Sequence, residues 1–169
     1  MSIEDEITAR IAEGRLIEFE TTPPMSKYRL VYLTPELNTR IVGPWEDDDP
    51  DRIHMPEVRA DLENFIVNGK ITTTYRKYPN TNFKRLQDRS KQVWEIRTMD
   101  PNPGSRMTGF FVLTDRFIGT DLMPRDEIDF DLEINRAKAC WRTLFTNYQP
   151  VVSENIHDYI STNVVHFRK

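Results

Sequence analysis

The chain has 169 residues, of which 38% are hydrophobic, 30% charged and 11% aromatic, and three Trp, six Tyr and nine Phe supply enough apolar bulk for a core and exclude a wholly disordered polymer. No apolar run approaches the roughly 20 residues that cross a bilayer, and the acidic opening MSIEDEITAR lacks a basic-then-apolar signal pattern, so a cytoplasmic protein with no membrane partner is expected. The single cysteine, Cys140, excludes an internal disulfide and a cysteine-based zinc site.

Ser2 followed by Asp5 forms a capping-box pattern, and Ile3, Ile7 and Ile11 recur at helical spacing until Gly14, predicting a short amphipathic helix. Arg15 to Thr22 alternates and ends at Pro23-Pro24, and Lys27 to Leu33 is rich in Tyr, Val and Leu; together they predict a hairpin. LNTRIVGPW is expected to extend that sheet, and the acidic, proline-broken WEDDDPDRIHMP is expected to be an exposed loop at a subdomain boundary. Pro56 suits the first turn of a second helix, with Val58, Leu62, Phe65 and Ile66 on one face and Asn68-Gly69 at its end.

Ile71 to Tyr78 reads as a strand, NTNFKRLQDRSK as a loop or single helical turn, and QVWEIR as a strand with Val93 and Glu95 on one face and Trp94 and Ile96 on the other. Met107 to Leu113 and Phe117 to Met123 complete a three-stranded antiparallel meander. From Asp126 a helix follows, with Ile128, Leu132, Ile134, Ala137, Trp141, Leu144 and Phe145 on a broad apolar stripe, and SENIHDYISTNVV is expected to form a last short helix capped by Ser153. The fold class is therefore α+β: a small antiparallel meander sheet packed by helices, with a helix-hairpin extension over residues 1–50 and the main domain over 51–169.

Charge is unevenly spread. Residues 1–68 hold seven Lys/Arg against fifteen Asp/Glu, whereas residues 69–108 hold nine against three. Clustered cations attract phosphates and release counterions on binding them. In the basic segment Tyr75 and Tyr78 interleave with Arg76 and Lys77, followed by Lys84, Arg85, Arg89, Lys91, Arg97 and Arg106, a composition suited to RNA because cations hold phosphates and rings stack on unpaired bases. The competing reading is a solvated strand face whose charges neutralise the acidic segments. Asp47, Asp48, Asp49, Asp51 and His54 lack calcium-loop spacing, and His157 and His166 have no cysteine beside them, so neither group predicts a metal site and no cofactor is expected. Cys140, beside Trp141 on the helical stripe, reads as buried and inert.

Several phrases occur in an order similar to that of the RelE/HigB superfamily of toxin-antitoxin toxins over about residues 57–144. They are Phe83-Lys84-Arg85-Leu86, then Val93-Trp94-Glu95-Ile96-Arg97, which resembles the family's "lWElR" phrase, and Glu133-Ile134-Asn135-Arg136-Ala137, which resembles its "EI..A" helix. The resemblance implies a ribosome-dependent endoribonuclease that cleaves mRNA and is held inactive by an antitoxin, so mRNA, the ribosome and an antitoxin are the partners it implies. It also implies catalysis by Arg97, which stands on the matching strand; Arg106 and Lys84 are placed beside it by proximity in sequence, and Tyr75, Arg76, Lys77, Tyr78, Arg85, Arg89, Lys91 and Arg125 would bind RNA. The chain departs from the family after the last hairpin strand, where Asp121-Leu122-Met123-Pro124-Arg125-Asp126 replaces a lysine-rich phrase and Arg125 is the only cation. It also carries the acidic N-terminal extension, which could screen a basic site. The alternatives are a non-catalytic RNA- or protein-binding domain on the same scaffold and an α+β interaction domain that recognises a protein.

Overall fold

The computed structural model describes residues 1–77 and 80–168. Among these residues four helices, α1 (Ile3–Ala12), α2 (Pro35–Val42), α3 (Asp51–Ile66) and α4 (Phe130–Leu144), accompany eight strands: β1 (Ile17–Glu18), β2 (Leu30–Leu33), β3 (Ile71–Thr74), β4 (Phe83–Arg85), β5 (Trp94–Thr98), β6 (Ser105–Leu113), β7 (Arg116–Pro124) and β8 (Val164–Phe167). All eight strands form one sheet in the order β1-β2-β7-β6-β5-β4-β3-β8.

The α+β class and the antiparallel β5-β6-β7 meander are as expected, but the sheet is mixed rather than a small antiparallel one. Strands β2 and β7 pair in parallel, as do β3 and β4, and β3 and β8. The β2-β7 and β3-β8 pairs join strands far apart in sequence, and parallel pairing of the consecutive β3 and β4 needs a crossover rather than a tight turn, so no hairpin signal announces any of them. LNTRIVGPW does not extend the sheet: Thr34 and Pro35 start α2, with proline in the first turn, and Leu37 and Ile41 face the core. Half of the expected acidic loop is helical, because α3 begins at Asp51 and runs through Pro56. NTNFKRLQDRSK contributes β4, and SENIHDYISTNVV holds only a 3-10 turn at Ile156–Asp158 before β8, whose backbone finds its partners on β3.

The sheet separates two cores. On one side Phe19, Val31, Leu33, Trp94, Ile96, Phe111 and Phe117 pack against α2, α3 and the Ile156–Ile160 segment. On the other, Tyr32, Leu86, Val93, Phe110, Val112 and Ile118 pack against α1 and α4. Residues 1–50 thus supply two strands to the common sheet and apolar side chains to both cores. Ser2 and Asp5 make the predicted capping box. Arg29, 1% exposed, donates to the Phe65, Gly69 and Thr162 carbonyls and ties the entry of β2 to the end of α3 and the C-terminal segment. Among the described residues no helix is long and apolar enough to cross a membrane.

Candidate functional site

The α4 face of the sheet is apolar along most of its length and turns polar at the N-terminal end of α4. Alternation along β5 puts Val93, Glu95 and Arg97 on this face, and on β6 it does the same for Arg106, Thr108, Phe110 and Val112. Register then aligns Lys84 of β4, Glu95 of β5, Thr108 of β6 and Asp121 of β7 in one row across four strands, with Arg97 opposite Arg106 in the next. A bulge shifts the β6-β7 register between Thr108 and Gly109 and leaves Thr120 over, so that Ile118 and Asp121 share the α4 side.

A cleft of about 360 Å³ opens over this row. Lys77, Lys84, Arg97 and Arg125 line it with Glu95 and Gln87, and Phe130, Asp131, Ile134 and Leu86 form the wall on the α4 side. Glu95 is 1% exposed. Burial raises its pKa from the usual carboxylate value, with Arg97, Arg106, Lys84 and Arg125 opposing the rise. Burial lowers the pKa of Lys84, helped by Arg97, Lys77 and Arg125 and opposed by Glu95. Arg97 Nε lies 3.4 Å from Glu95 Oε1, near enough for an ion pair yet not aligned as a hydrogen bond. Arg106 is buried behind the cleft and donates to the Thr98 and Ser105 carbonyls.

Buried polar atoms are normally paired, so orphans mark strain or function. Nine side-chain atoms among the described residues are buried without a hydrogen-bond partner, and five of them fall in this patch: Glu95 Oε2, Arg97 Nε, Arg106 Nε, Thr108 Oγ1 and Glu133 Oε2. Glu133, in the first turn of α4 and 2% exposed, holds Arg136 at 3.2 Å. Its pKa is pushed up to about 7, first by burial and then by the neighbouring Asp121.

The sequence-predicted residues divide by face. Lys84, Arg97, Arg106, Arg125 and Lys77 converge around Glu95. Arg85 points to the opposite side, where it stacks 3.7 Å from the centre of the Tyr75 ring, donates to Ser153 O at 2.9 Å and meets Glu154 at 3.4 Å. Tyr75 packs there against Trp94, Tyr159 and His166, away from the cleft. Arg76, Arg89 and Lys91 are exposed, Lys91 pairing with Glu154 at 3.1 Å. Tyr78 lies outside the described residues.

Elsewhere, Asp51 is held by Arg40 at 2.7 Å and Asp47 by Arg52 at 3.0 Å, and His166 Nδ1 lies 2.8 Å from Thr73 Oγ1. Burial pushes the Cys140 thiol up, which disfavours its thiolate. Sequence reading missed Glu95, Thr108, Asp121 and Glu133 as members of the site. The available signal was Glu95 and Arg97 alternating with apolar residues on a strand that also shows its other face to a core. Comparison of the chain with family models, curated proteins and solved structures finds no match.

Proposed function

We propose that the cleft binds a phosphodiester of RNA and cleaves it. The observation that carries this reading is the convergence of four cations and a buried glutamate on one opening, where the orphaned Glu95 Oε2 and Arg97 Nε belong to the lining. Polar atoms left unpaired in a site are ready to meet a ligand without first breaking bonds inside the protein. The order of phrases resembling the RelE/HigB superfamily supports the same reading, and with it mRNA on the ribosome as substrate.

Glu95 serves as general base: it takes the proton of a ribose 2′-hydroxyl as that oxygen attacks the neighbouring phosphorus. Arg97 and Arg125 stabilise the charge that grows on the phosphoryl oxygens, and Arg106 positions Arg97 and Glu95 from behind. The bond from phosphorus to the 5′-oxygen breaks, the Lys84 ammonium gives that oxygen a proton, and the products are a 2′,3′-cyclic phosphate and a 5′-hydroxyl. A raised carboxylate pKa and a lowered ammonium pKa both move proton transfer toward neutral pH.

The test is end-mapping of RNA incubated with the chain, alone and in a translation extract. Wild type is expected to leave cyclic phosphate ends. Glu95→Gln is expected to slow cleavage by roughly 10²–10⁴-fold while RNA binding survives. Arg97→Ala is expected to lose both. Intact RNA under both conditions, with binding that falls steeply in salt, would move the function to non-catalytic RNA binding.

A further inference from the structure

The cleft is chemically two-sided. Its floor is cationic, with Lys84 and Arg97, and its α4 side is apolar: Leu86 and Ile134 are buried members of the core beneath it, and the half-buried Phe130 ring packs on that same core. The Arg125 guanidinium lies 5.8 Å from the centre of the Phe130 ring, so one residue links the charged and aromatic walls. The Gln87 amide and the Asp131 carboxylate complete the lining with a donor and acceptors.

A phosphate alone needs only the floor. An aromatic and aliphatic wall beside it matches the other half of a nucleotide, whose base offers a π-face for stacking and an edge for hydrogen bonds. In a duplex that face is stacked and that edge is paired, and only an unpaired base can enter. We infer that the Phe130, Leu86 and Ile134 wall receives one unpaired nucleobase while the floor holds its phosphate, so that the ligand class is single-stranded RNA and Phe130 is its stacking partner. The inference rests on the RNA reading above and adds the base subsite and the residue that stacks in it.

Three labelled RNA oligomers of equal length separate the two ideas by fluorescence anisotropy at low salt: a single strand, its duplex, and the single strand with abasic sites at its centre. The single strand is expected to bind best, with the duplex and the abasic strand each weaker by about tenfold or more, the scale of one lost base-aromatic stack. Phe130→Ala is expected to weaken the intact single strand by a similar factor and the abasic strand hardly at all, and Phe130→Tyr to restore binding. Arg97→Ala is expected to weaken all three. Equal affinity for the three oligomers, or an equal loss for all of them in Phe130→Ala, overturns the base pocket and leaves the phosphate site standing. No binding of any oligomer overturns the RNA reading itself. The abasic comparison needs no variant, so it decides the matter even if Phe130→Ala destabilises α4.

Discussion

Lys84 and Arg85 are consecutive, yet one lines the cleft and the other is clamped by Tyr75, Tyr159 and Glu154 beyond the opposite face. Alternation along a strand makes this unavoidable, and it separates a basic run into a ligand-facing cation and a structural one. The cations were legible in the sequence as composition. Their sorting was not, because it depends on which core each face meets. Glu133 shows the same limit: helical spacing marks Ile134, Ala137 and Trp141 as core, but only the β6-β7 bulge brings Asp121 against its neighbour. Glu133 carries a pH prediction. Its folded pKa stands near 7, above the ordinary carboxyl value of 4.5, so the fold prefers the protonated form. Its contribution is most favourable below 4.5 and is lost as pH rises toward 7. Glu133→Gln, which removes the ionisable carboxyl and keeps its shape, should raise Tm by a few degrees near pH 8 and leave it unchanged near pH 4.5, measured by thermal unfolding across pH.

Gly109 governs the pairing of β6 with β7. A Cβ placed there would stand 2.0 Å from the Ile118 carbonyl oxygen and 2.6 Å from the Phe117 ring, and the carbonyl belongs to a strand backbone that cannot swing away. Gly109→Ala is expected to destabilise the chain by about 2 kcal/mol or more, in the range of core overpacking, with denaturant unfolding as the measurement. The bulge beside Gly109 also sets which way Asp121 points, so the same substitution should weaken the pH dependence carried by Glu133. Elements with a local signature were legible: the capping box of α1, the apolar stripe of α3 and the β5-β6-β7 meander. Elements whose partners lie far along the chain were not. Nothing within Val164–Phe167 marks β3 as its neighbour, and Thr34-Pro35, a helix start, was masked by the apolar alternation that precedes it.

At the scale of the molecule, the acidic N-terminal residues are built into the fold. Strand β2 lies between β1 and β7, and Phe19, Val31, Leu33, Leu37 and Ile41 occupy the same core as Trp94 and Phe111. No residue before Lys77 lines the cleft among the described residues. Removing residues 1–50 should therefore abolish cooperative folding rather than release a more active domain; circular dichroism and a thermal melt of the truncated chain check this, and a sharp native-like transition would count against it.

The pairing of β3 with β8 has a consequence for biosynthesis. Residues 71–74 leave the ribosome long before residues 164–167, and until then one edge of β3 offers its amides and carbonyls to any passing strand. Arg29 waits equally long for the Thr162 carbonyl. Translation of residues 162–167 thus sets the moment at which the nascent sheet loses its open border, and a stall before Phe167 would leave a chain prone to associate with its own copies.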